Sequence, residues 1–216
     1  MNIIPEKDIV ATLSALTDSN MPFRLLRNIN NELPGHLKSG KDIDILVRWN
    51  DIARLEHFLK KIRFNRVPSP HRLDQFLYGV HPLRFYKHNL LNFYIDCHFE
   101  LACRSLNQGE WIPLDRKIQT RAWEKPSLCN IGGVFVPMLP SICEYLHLLT
   151  RCIFDKRNFD AGYIRRIEEL TNYLCVDELL EAMQPVFFKF TSHLLELLRD
   201  KRYGEIVLSH IRFTEY

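Results

Sequence analysis

Asp42 and Asp44 stand in the string Lys38 to Val47, which reads K-S-G-K-D-I-D-I-L-V. On an extended strand, side chains two residues apart project from the same face. Two carboxylates held side by side repel unless a cation lies between them. An all-oxygen pair of this kind suits hard divalent ions such as Mg²⁺ or Mn²⁺, which leave coordination positions for substrate phosphates. A third acid, Asp96, sits in the segment 92–100, which alternates with period two. Phe93, Ile95, Cys97 and Phe99 fall on one face, and Tyr94, Asp96, His98 and Glu100 on the other. Glu100, on the same face, is the substitute for Asp96 if the strand register is different. The plainer alternative is a pair of strands whose acids simply face water.

The elements that must position these acids can be read from the same periodicities. Ile43 and Ile45 alternate with the two aspartates and predict a buried face behind them. Residues 7–18 carry Ile9, Val10, Leu13 and Leu16 at helical spacing, and Asp18, Ser19 and Asn20 end that helix. Residues 22–27 fit a first strand, residues 29–40 a loop or short helix, and residues 42–48 a second strand. Asn50 reads as the cap of a helix to about residue 62. Short strands are expected over 64–67, 75–80, 83–86 and 134–138. Residues 101–132 show few periodic runs and are left unplaced. From Ser141 onward the pattern is helical, over 141–154, 161–174, 176–183 and 185–199. This is an α/β (α+β) chain: a mixed sheet flanked by helices over 1–138, then a helical region over 139–216. No linker rich in Gly, Ser or Pro separates the two parts, so they are expected to pack together.

Composition excludes some functions and leaves others open. The chain has 216 residues, 46% hydrophobic and 25% charged, with a formal net charge of +3. That is ordinary for a globular protein, carries no strong nucleic-acid signal, and is compatible with an anionic small molecule. No run approaches the ~20 apolar residues of a membrane span. The N-terminal M-N-I-I-P-E-K-D lacks a secretory apolar core, and six scattered cysteines lack zinc-site spacing. A cytoplasmic protein with reduced thiols is expected. In the helical region, His147 and Arg151 read as a solvated face, and Lys156, Arg157, Arg165 and Arg166 as a basic surface.

A first strand, a polar connection, a D-x-D strand and a later strand bearing a third acid form an order that resembles the polymerase-beta-like nucleotidyltransferase superfamily. The resemblance covers roughly residues 20–100, and D-I-D-I-L-V is its sharpest part. It implies a metal-dependent enzyme that moves a nucleoside monophosphate from an NTP such as ATP to an acceptor: a small molecule, a protein or an RNA. Asp42, Asp44 and Asp96 would be the catalytic and metal-holding residues, with Asp96 also taking the acceptor's proton. Where the superfamily has a Gly-Ser turn, this chain has Ile29-Asn30-Asn31. Asn30 and Asn31 tolerate a left-handed backbone but lack glycine's open approach to phosphate. Arg27, Lys38, Gly40 and Lys41 complete the expected nucleotide-binding set, the cations replacing charge that glycine amides would supply. His81 and Arg84 lie within reach of a nucleotide, though nothing local demands it. The segment from Arg27 to Asp44 also resembles a divergent bacterial branch with an R-N…L-P…D-I-D pattern, which implies a link to surface-polysaccharide biosynthesis. Two alternatives remain open at this level: a D-x-D metal-dependent glycosyltransferase, and a non-catalytic binding protein on a nucleotidyltransferase scaffold.

Overall fold

The structure, a computed structural model, describes residues 2–69, 78–87, 92–105 and 110–211. The chain divides into two compact units, one of residues 1–100 and 125–139, the other of residues 101–124 and 140–216.

The first unit is built on a mixed sheet. Its strands are β1 (Phe23–Leu25), β2 (Asp42–Val47), β3 (Phe64–Arg66), β4 (Leu83–Lys87), β5 (Tyr94–His98), β8 (Ser127–Ile131) and β9 (Val134–Met138). They lie in the order β3-β4-β5-β2-β1-β9-β8. β2 runs parallel to β5 and antiparallel to β1, and β4 is antiparallel to β5. The period-two pattern is met in three dimensions: Ile43, Ile45 and Val47 from β2 join Ile95 and Cys97 from β5 in one apolar cluster. Helices α1 (Glu6–Asp18) and α2 (Ile52–Lys61) complete that cluster with Ile9, Leu13, Leu16, Leu55 and Leu59. One sheet face is therefore sealed by helices, and the acids project from the other. Asn50 is not the cap of α2. It sits in a short 3₁₀ turn, Trp49–Asp51, and Asp51 precedes the helix. The strand expected over 75–80 lies largely outside the described residues; Tyr78 to Val80 form no strand.

The β8–β9 hairpin closes through Gly132 and Gly133, at φ +58° and +88°. Two left-handed residues in a two-residue loop match the twist of the flanking strands, and glycine enters that region without strain. A Cβ on Gly132 would also come within 2.5 Å of Val10 Cγ2.

The second unit contains the two-stranded ribbon β6 (Ala102–Arg104) and β7 (Trp111–Pro113), then α3 (Arg116–Arg121) and the helices α4 (Ser141–Thr150), α5 (Ala161–Tyr173), α6 (Val176–Phe187), α7 (Thr191–Arg199) and α8 (Tyr203–Ile211). α4 is buried on all sides from Ile142 to Thr150. His147 is thus not on a solvated face, because a central helix has none to offer. Glu144 on the same helix is 1% exposed, and Arg166 of α5 donates to both its oxygens, Nε and Nη2 each at 2.8 Å. α4 continues into a π-helical turn, Arg151–Lys156, ended by Arg157 at φ 53°. Pro185 does not open a helix. It lies in the last turns of α6, and the break falls at Phe188, φ 49°. Among the described residues, no helix is long and apolar enough to cross a membrane.

Candidate metal centre

The acids meet because of register. In the parallel β2–β5 pair Asp44 lies opposite Asp96, and Asp42 lies opposite Tyr94. Asp42 and Asp44 share a face by pleat, so all three carboxylates rise from the same side of the sheet. One oxygen from each lies within 4.8 Å of the others. Asp44 and Asp96 are buried and Asp42 is partly open. Glu100 lies beyond the end of β5.

Two arginines and a histidine surround the acids. Arg27, two residues past β1, forms an ion pair with Asp44. His98 places Nε2 3.2 Å from Asp44 Oδ1. Arg84, opposite Asp96 in the β4–β5 register, donates Nε to Asp96 Oδ1 at 2.7 Å and Nη2 to Asp96 Oδ2 at 2.6 Å. The same Nη2 donates to Asp42 Oδ2 at 2.8 Å. Burial and the neighbouring Asp44 and Asp96 carboxylates push the Asp42 carboxyl up to about 6, against the pull of Arg27. The acids hold the Arg84 guanidinium firmly in its charged form, its hydrogen bonds to Asp96 contributing most.

The remaining expected residues lie on two turns. Asn30 and Asn31 are exposed and left-handed, at φ 57° and 51°, the conformation for which asparagine is suited. The turn is closed by Asn28, whose Oδ1 accepts from the Leu33 N–H at 2.9 Å. Gly40 is also left-handed, at φ 87°, and its N–H donates to the Asn92 carbonyl at 3.0 Å. That bond ties the entry of β2 to the residues just before β5. Lys38 and Lys41 are exposed on the same turn. Arg84 was legible only as a cation within reach; its place on two carboxylates follows from an antiparallel register that its neighbours in sequence do not encode.

The donor set fits a hard divalent ion. All three candidate donors are carboxylates, and a cation among them would offset the burial and like-charge repulsion that raise Asp42. The sign of the pH effect follows. With its folded pKa raised above the ordinary value of 3.8 to about 6, Asp42 holds a proton in the folded chain that the unfolded chain has released. Between those values, folding stability without metal decreases as pH rises. Metal must displace that proton, so Mn²⁺ affinity is expected to fall by about tenfold per pH unit below about 6 and to level off above it. Mn²⁺ titrations from pH 5 to 8 check this; a flat profile would exclude Asp42 as a donor.

No protein-family model matches the chain, and no curated protein matches it. Solved structures do show similarity. The chain is similar to a lincosamide antibiotic adenylyltransferase, LnuA, bound to lincomycin, at 13% identity and a TM-score of 0.46, over 80% of this chain and 100% of that one. ANT(2'')-Ia in complex with adenylyl-2''-tobramycin matches at 10% identity and a TM-score of 0.46, over 92% and 99% of the two chains. An antigenic nucleotidyltransferase-like protein from Paracoccidioides brasiliensis matches at 12% identity and a TM-score of 0.49, over 94% and 91%.

Proposed function

We propose that this chain is a metal-dependent nucleotidyltransferase, moving a nucleoside monophosphate from an NTP to a hydroxyl of an acceptor. The observation that carries the reading is the convergence of Asp42, Asp44 and Asp96 within 4.8 Å on one sheet face. Acids that open a strand, with a third on the parallel neighbour, favour this chemistry over the D-x-D glycosyltransferase alternative. Asp42, Asp44 and Asp96 would hold Mg²⁺ or Mn²⁺. Bound there, the ion would neutralise triphosphate charge and make the attacking hydroxyl more acidic. Asp96 would accept the proton from that hydroxyl. Arg27 would orient Asp44 through its ion pair, and Arg84 would face the phosphates through its planar fork. Asn30, Asn31, Lys38, Gly40 and Lys41 would border the nucleotide. The link to surface-polysaccharide biosynthesis rests on the sequence resemblance alone.

One observation favours a second reading. Arg27 and Arg84 already compensate most of the acid charge, as expected of a non-catalytic protein stabilised without metal. The two readings separate in one experiment. NTPs titrated with Mg²⁺ are expected to raise the melting temperature, by several degrees at saturation, and to yield pyrophosphate when a suitable acceptor is supplied. Nucleotides that stabilise equally with and without Mg²⁺, and release no pyrophosphate with any acceptor class, would favour the non-catalytic protein.

A further inference from the structure

Arg84 occupies the position of a bridging cation. Its Nη2 touches Asp42 Oδ2 at 2.8 Å and Asp96 Oδ2 at 2.6 Å, so one nitrogen spans two of the three acids. Its Nε covers the other oxygen of Asp96. A divalent ion drawing on those oxygens would meet a guanidinium of like charge aimed at the same lone pairs. We propose that Arg84 is a resident counter-ion that metal must displace, so that a divalent ion enters this centre well only in company with a polyphosphate that takes the arginine over. The inference rests on the metal reading of the acid cluster.

Two features make Arg84, rather than Arg27, the exchangeable cation. The Arg84 side chain is 45% exposed, whereas that of Arg27 is 17% exposed against the deeply buried Asp44. Its Cζ lies 5.3 Å from the Tyr94 ring centroid, and Tyr94 is the register partner of Asp42. The aromatic face offers a place for the guanidinium to rest when the carboxylates are taken. A polyphosphate supplies what the arginine gives up, since guanidinium pairs with phosphate oxygens in the same two-pronged geometry as with carboxylate.

The device also explains how three acids can be assembled before metal arrives. Arg84 holds Asp42 and Asp96 in the spacing the ion needs and leaves when the ion and its anion come together. Metal alone would have to expel a cation into water without compensation, and polyphosphate alone would have to approach three carboxylates.

The test uses the full chain, Mn²⁺ as the probe and inorganic tripolyphosphate as the anion, which carries the charge without a base. Free Mn²⁺ is followed by electron paramagnetic resonance, and melting temperature reports the ternary state. Arg84→Gln is expected to bind Mn²⁺ alone at least tenfold more tightly than the wild type, with Arg84→Lys between them. In the wild type, Mn²⁺ with tripolyphosphate is expected to raise the melting temperature by more than the sum of either alone; in Arg84→Gln the excess shrinks. Equal Mn²⁺ affinity in folded Arg84→Gln and wild type would overturn the proposal, as would a gain that persists when Asp42→Asn and Asp44→Asn are added. Strictly additive wild-type shifts would overturn it without any variant. The outcomes separate the two ideas: Mn²⁺ bound equally by both proteins sinks only the role of Arg84. Absence of Mn²⁺ binding in every protein, with or without the anion, sinks the metal reading itself.

Discussion

The Asp42→Asn, Asp44→Asn double variant is expected to lose about a thousandfold in nucleotidyl transfer and to show no metal-dependent rise in melting temperature with NTP. A metal clamp contributes several kcal/mol of charge stabilisation, and each ~1.4 kcal/mol is tenfold in rate. The fold is expected to survive, because both side chains lie on the sheet face opposite the helix-covered cluster. Asp42→Asn alone removes a carboxylate that burial and two like charges disfavour but also gives up its ion pair with Arg84, so the stability of the metal-free chain at pH 8 is expected to change by less than about 1 kcal/mol. Circular dichroism and pyrophosphate release make the comparison. Transfer within tenfold of wild type in the folded double variant would place the chemistry elsewhere.

Arg166→Ala is expected to cost about 3 kcal/mol of stability, because it leaves the Glu144 carboxylate buried without its partner. For a chain of this size, that corresponds to a melting temperature lower by roughly 10 °C. Replacing both residues by leucine is expected to recover most of the loss, since a buried pair exchanged for apolar side chains is often neutral. Thermal denaturation of the two variants decides it. A loss equal in both would mean that Arg166 contributes packing rather than charge. Neither residue lies in the unit that carries the acid cluster.

The acid-bearing strands were legible because apolar and polar side chains alternate over Asp42 to Ile45 and Phe93 to Phe99; that pattern did not show that the acid face is itself closed, with Asp44, Leu46 and Asp96 all buried. What the sequence could not supply was pairing. Nothing local says that Arg84 lies opposite Asp96, since antiparallel register is decided by the whole sheet. The β8–β9 hairpin was missed although its signal stood in plain view: Ile131-Gly132-Gly133-Val134 is a two-residue glycine loop between apolar strands. His147 was misread for a different reason. Helical periodicity locates an exposed face only when one exists, and α4 is enclosed on every side. Pro185 misled because proline is expected at the start of a helix, whereas here the left-handed Phe188 made the break three residues later.

The sheet is not completed in the order in which it is translated. β1 pairs with β2 on one side and with β9 on the other, and β9 is made only after the chain has left the first unit at Leu101 and come back at Lys125. The two strands that carry the acids, β2 and β5, both precede that return in sequence, whereas the strand that covers the far edge of β1 follows it. Before Met138 is added, the β1 edge at Leu25 lacks the partner that closes it in the folded sheet.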